Sequence, residues 1–238
     1  MACAEGSERS RGHVPPRGQE ASGTATGLAV VRKRIDAVLR RLPVWPVYAL
    51  GPLPAAWLFW QALQGQLGPD PVRMLELAYG QYALKFLAAS LAVTPLRRLV
   101  GLNLVRFRRA LGLLAFCYAL AHLAVWLFID LRDLTLIGQD ILRRPYITIG
   151  MGAFLLMLPL ALTSSRAAIR HLGATRWQRL HRLVYPLALL AAMHFVMVRK
   201  GWQPEPLLWL FGIVLLLLLR LLPAWSPVAG RRVRQPRS

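Results

Sequence analysis

The sequence predicts an all-α membrane protein: a bundle of about six transmembrane helices with both termini cytoplasmic. Three observations predict it. The chain of 238 residues is 56% hydrophobic, with a mean hydropathy of +0.43. Its apolar residues collect into runs close to the ~20 residues a helix needs to cross a hydrocarbon core of ~30 Å. Its arginines, which carry the formal net charge to +20, cluster between those runs. A soluble protein this basic would imply a nucleic-acid partner. The apolar fraction argues against nucleic acid, and clustered arginines suit anionic lipid headgroups at cytoplasmic loops.

Taken in order, residues 1–42 mix Gly, Ser, Pro and Arg and are expected to form a disordered cytoplasmic tail. They lack the apolar stretch of a cleavable signal peptide. Within them, Val30 to Leu42 (VVRKRIDAVLRRL) is expected to form a short basic amphipathic helix on the membrane surface. A start codon set too far upstream would account for the earliest residues. The transmembrane domain spans 43–222. Its expected helices are Val44–Leu63, Tyr82–Val93 (short, extendable through Pro95), Ala110–Ile129, Ile147–Thr163, Leu180–Val198 and Pro206–Leu222. Residues 223–238 form a basic cytoplasmic tail.

Orientation follows from the loops. The loop after the second helix carries Arg97, Arg98, Arg106, Arg108 and Arg109, and that after the fourth carries Arg166, Arg170, Arg176 and Arg179. The intervening loops balance or favour acid: Asp70 and Glu76 against Arg73, then Asp130, Asp133 and Asp140 against Arg132, Arg143 and Arg144. The loop after the fifth helix holds Arg199, Lys200 and Glu205.

Two cysteines, Cys3 and Cys117, cannot build a disulfide framework or a Cys-rich metal site, and no Cys-x-x-Cys-His exists for covalent heme attachment. Acidic residues number 10, none in the middle of an apolar run, which argues against paired-carboxylate hydrolysis or a carboxylate proton relay.

Five histidines remain. His13 lies in the tail and His171 in a basic loop, where solvated roles are expected. His122, His181 and His194 belong to apolar helices, where ionisable groups usually mark function. His122 and His194 each stand thirteen residues into a helix rising from the cytoplasm, counted from Arg109 and His181, which puts both ~20 Å up at a similar depth. Two facing imidazoles at one depth would hold the iron of a b-type heme from both axial sides, an arrangement suited to electron transfer. His181 and His194 are about 140° apart on an ideal helix, unless Pro186 rewinds the turn. Three unrelated interhelical hydrogen bonds are the alternative.

These segments resemble the MsrQ (YedZ) family, within the ferric-reductase-like transmembrane superfamily. The matching pieces are LGPDPV (67–72), ALKFLAASLAVTPLRRL (83–99), RFRRALGLLAFCYALAHL (106–123), RRPYITIG (143–150), LALTSSRAAIRHLGATRWQRLHRLVY (160–185) and the HF pair at 194–195. They cover roughly 43–222, in order and spacing. The resemblance implies a heme-binding subunit in a bacterial inner membrane. It would pass electrons from membrane quinol through heme b, with FMN also described for the family. The receiver would be a periplasmic molybdopterin-containing methionine sulfoxide reductase catalytic subunit. It maps the heme ligands onto His122, His181 and His194.

Oxidase-type members of the superfamily carry two histidines on each of two helices. Here the second position on the third helix holds Arg109 or Arg108, so His181 has no histidine partner. It is expected to ligate a second heme with another partner or to serve a flavin or quinone site. Arg108 and Arg109 would then hold a flavin phosphate or heme propionates, the alternative being positive-inside anchors. Lys85 would snorkel or meet a quinone or propionate oxygen. Trp126, Trp202 and Trp209 are expected at the membrane interface, and Gly150, Gly152 and Ala153 at a close helix contact or a porphyrin edge. A ferric reductase or oxidase drawing on NAD(P)H is disfavoured, since no soluble flavin and nucleotide domain follows the sixth helix. A heme-free permease or assembly factor is the third reading.

Overall fold

The structure, a computed structural model, describes residues 30, 34–35, 37–39, 41–130, 138, 141, 143–199 and 203–221. His13, Cys3, Trp202, the loop around Asp133 and the C-terminal tail lie outside them, as does most of the N-terminal tail. The described residues of the 30–42 stretch include a helical 37–39, with Val38 exposed.

The first expected helix is broken in two: α1 (Trp45–Leu50) and α2 (Leu53–Leu63). Pro52 cannot donate to the turn before it, and its ring crowds that turn. The Tyr118 phenol occupies the break, donating to the Gly51 carbonyl at 2.8 Å and accepting from the Ala55 N–H at 3.1 Å. Tyr79 adds a bond to the Ala55 carbonyl at 2.9 Å.

The second helix is far longer than its apolar run. α3 covers Pro71–Leu99, 29 residues against the expected Tyr82–Val93. Asp70 caps its start by accepting from the Arg73 N–H, with Pro71 in the first turn. Arg97 and Arg98 lie in its last turn, and Gly101, at φ 80°, lets the chain turn away. Polar Gln81, Lys85 and Ser90 dilute its hydropathy without interrupting it.

α4 (Arg108–Val125) follows a 3₁₀ turn and ends in a π-helical turn at Trp126–Asp130. α5 (Pro145–Leu162) opens on a proline that fits a first turn. Two short helices, α6 (Arg166–Leu172) and α7 (Ala174–Leu180), lead through a 3₁₀ turn at His181–Leu183 into α8 (Val184–Val198). Pro186 has no N–H for the Arg182 carbonyl, which accounts for tightening just before α8. α9 (Pro204–Leu221) completes the order.

Among the described residues, four helical stretches are long and apolar enough to cross a membrane: Val105–Ile129, Pro145–Leu162, Ala174–Val198 and Pro204–Leu221. α4 packs along α3 and α5 along α8, while α9 lies against both α8 and α3. One core joins Leu87, Leu91, Ala115, Met157, Ala188 and Ile213 from all five helices. A second gathers Tyr79 and Tyr118 with Leu75 and Val125.

Candidate functional site

His122 on α4 and His194 on α8 are brought together, their ring centroids 6.1 Å apart and their planes at 77°. Each is anchored from the helix beside it. Nδ1 of His122 lies 2.9 Å from the Glu76 carbonyl on α3, and Nδ1 of His194 lies 2.7 Å from the Tyr146 carbonyl on α5. A carbonyl only accepts, so Nδ1 carries the proton and donates; in the neutral ring Nε2 then keeps a lone pair. Among the described residues, neither ring makes a second hydrogen bond.

Both rings line a cavity of about 550 Å³, within the ~300–1,000 Å³ typical of cofactor sites. Most of its lining side chains are apolar, among them Leu84 and Leu87 from α3, Met157 from α5 and Phe195 from α8, with Glu76 and Gln81 of α3 beside them. Exposed Arg73 and Arg144 also line it. The rings press against bare backbone. A Cβ on Gly80 would lie 3.2 Å from Nδ1 of His122, and one on Gly150 only 2.8 Å from Cε1 and Nδ1 of His194.

These residues fit a heme. Bonds from imidazole nitrogen to a metal are about 2 Å long, so the 6.1 Å between rings admits one metal ion. No group of three or more His, Cys, Asp or Glu that could hold a bare ion occurs among the described residues. Two neutral imidazoles alone are a poor cage for a bare cation, whereas a porphyrin supplies the remaining four nitrogens itself.

The other residues singled out in the sequence lie elsewhere. His181, half-buried, does not line the cavity. Its Nδ1 pairs with the Trp177 carbonyl one turn earlier at 3.2 Å, and its ring stacks on that indole at 3.9 Å. Arg108, half-buried, is within electrostatic reach of His181, Tyr185 and Arg220. Arg109 is exposed. Lys85 is exposed with its Nζ 5.0 Å from the Tyr82 ring centroid. None of these three cations lines the cavity. His171 is exposed, as its basic surroundings predict. Trp126 corrects its interface assignment: it is 7% exposed and forms part of the cavity wall.

Sequence reasoning missed Gly80, the carbonyls of Glu76 and Tyr146, and Arg73 and Arg144 as cavity residues. Only the glycines left a signal, each four residues after the residue whose carbonyl is used.

Residues 76–192 match the family model described as ferric reductase like transmembrane component. Together with the apolar helices, that match defines the class: a multi-pass membrane protein with a ferric-reductase-like bundle. The chain is 49% identical over 177 residues to the protein-methionine-sulfoxide reductase heme-binding subunit MsrQ of Brucella anthropi, covering 74% of this chain and 80% of the relative. It is 48% identical over 179 residues to the subunit of the same name from Brucella ovis, covering 75% and 81%. Similarity of that depth across most of both chains decides the matter, and the chain belongs to the MsrQ family.

Proposed function

We propose that this protein is the heme-binding, electron-transfer subunit of a methionine sulfoxide reductase system. One observation carries the reading: two interior imidazoles, each held through Nδ1 by a neighbouring helix's carbonyl, line one cavity with their ring centroids 6.1 Å apart. His122 and His194 would hold b-type heme. When bound, the group would supply a one-electron carrier. The protein's part is to fix the two rings, exclude water with leucine and phenylalanine walls, and offset carboxylate charge with Arg73 and Arg144 at the cavity.

In this reading six helices cross a bacterial inner membrane with both termini cytoplasmic, α1–α2 and α3 adding two crossings to the four apolar stretches. The arginine-rich end holds Arg108, Arg109 and His181 and is the electron-entry side. There His181 would accept a proton from quinol or border an FMN, with Arg108 and Arg109 meeting phosphate. Lys85, exposed on α3 and outside the cavity, would meet a quinone oxygen rather than a propionate. Electrons leave at the opposite end to a periplasmic molybdopterin-containing catalytic subunit, which would carry out the reduction of methionine sulfoxide.

The test is the dithionite-reduced minus oxidised spectrum of the purified protein, followed by electron delivery from a quinol analogue to the catalytic partner. The expected result is b-type absorbance that the partner reoxidises when methionine sulfoxide is present. Absence of heme from protein purified under heme-replete expression would overturn the reading.

A further inference from the structure

The two histidine seats share a register. Gly80 follows Glu76 by four residues on α3, and Gly150 follows Tyr146 by four on α5. In a helix the N–H of residue i+4 is the regular donor to the carbonyl of residue i. Each accepting carbonyl therefore serves two donors, its own helix's glycine and the neighbouring imidazole, and two lone pairs suffice for that. The side chain at i+4 ordinarily leans back over the preceding turn and covers that carbonyl. At these two positions a Cβ on residue i+4 would crowd the ring that reaches the second lone pair, at 3.2 Å for Gly80 and 2.8 Å for Gly150.

We infer that Gly80 and Gly150 are positioning residues. By omitting Cβ they set the length of the Nδ1–H···O=C bonds, and through those bonds the basicity of each Nε2 toward heme iron. The inference rests on the heme reading above and deepens it. Other glycines differ: a Cβ on Gly112, Gly152 or Gly212 would meet nothing nearer than 3.8 Å, and one on Gly51, at the α1–α2 break, would meet the apolar side chain of Leu114. At Gly80 and Gly150 the nearest atoms belong to the imidazole rings, at 3.2 Å and 2.8 Å. Glycine is also the poorest helix former after proline, so these two positions keep a locally unfavourable residue against the seats of the rings.

The experiment compares heme-loaded wild type with Gly80→Ala, Gly150→Ala and the control Gly152→Ala. Three readouts are used: heme retained, reduction potential, and the low-spin ferric resonance, whose anisotropy reports the angle between axial rings. Gly80→Ala, needing a few tenths of an ångström of give, should keep its heme. A longer Nδ1 bond makes the imidazole less electron-rich and favours the reduced iron. Its potential should therefore rise by roughly tenfold in the reduction equilibrium, ~59 mV for one electron, with a changed ferric resonance. Gly150→Ala should shift further or retain heme roughly ten- to a hundredfold more weakly. Gly152→Ala should match wild type.

Unchanged potential and resonance in Gly80→Ala with heme bound would overturn the inference while leaving the heme reading intact. An equal shift in Gly152→Ala would overturn it too, as a general packing effect. Should Gly150→Ala fail to accumulate, Gly80→Ala decides alone. A wild type without heme would sink both.

Discussion

One continuous helical stretch, Ala174–Val198, carries two histidines that are held in opposite ways. His194 reaches across to the carbonyl of another helix and faces a cavity. His181 bonds the carbonyl one turn behind it and stacks on that turn's own indole. The first ring is placed by tertiary packing and lies 6.1 Å, centroid to centroid, from a partner ring. The second is placed by its own turn, among arginines. A histidine in an apolar helix therefore says little by itself; the helix that supplies its hydrogen bond says more.

The comparison breaks most completely if the two ends face the wrong sides. Reporter fusions near Asp70 and Trp202 should read outside, and those near Arg98 and Arg170 inside, because the arginine asymmetry recurs at each turn. An inside signal at Asp70 would reverse entry and exit. Next in size is ligand removal. His122→Ala and His194→Ala should each lower heme content by roughly tenfold or more with membrane insertion intact, measured by pyridine hemochrome against protein. A wild-type stoichiometry in either variant would dissolve the pairing.

His181→Ala sharpens the contrast. Its heme content should stay close to wild type, as should reduction by dithionite. Reduction by a quinol analogue should slow by roughly a hundredfold, the lower end of what a positioned general base contributes. Equal rates with both reductants would return His181 to a structural role. Smallest is Tyr118→Phe, which touches neither end. Losing the phenol that bridges Gly51 and Ala55 should cost ~1–3 kcal/mol of stability, seen as a lower Tm with an unchanged heme spectrum. A shifted spectrum would show that the α1–α2 break communicates with the rings.

Much of this was legible in the residues. Hydropathy located the apolar helices within a few positions, and counting residues from Arg109 and His181 placed His122 and His194 at one depth. The extent of α3 was not legible, because Gln81 and Lys85 hide a helix that Asp70 and Pro71 start eleven residues before its apolar run. Trp126 was misread because an indole at a helix end looks alike whether it turns to lipid or to a cavity. The seats of the rings were the deepest omission. The bonds join residues 46 and 48 positions apart, and no local pattern relates Glu76 to His122 or Tyr146 to His194.

The seats also have an order in the chain. Glu76 and Gly80 precede His122, and Tyr146 and Gly150 precede His194. Threaded into the bilayer from its N-terminus, the protein lays down each acceptor before the ring that docks on it emerges. The first half, α3 with α4, can close around its imidazole while the second is still being synthesised. The two rings meet only when α8 arrives, so the cavity between them is among the last features of the bundle to take shape. A heme held by these rings, as proposed above, would enter after synthesis of the helix pairs, on a framework whose donors and acceptors are already matched.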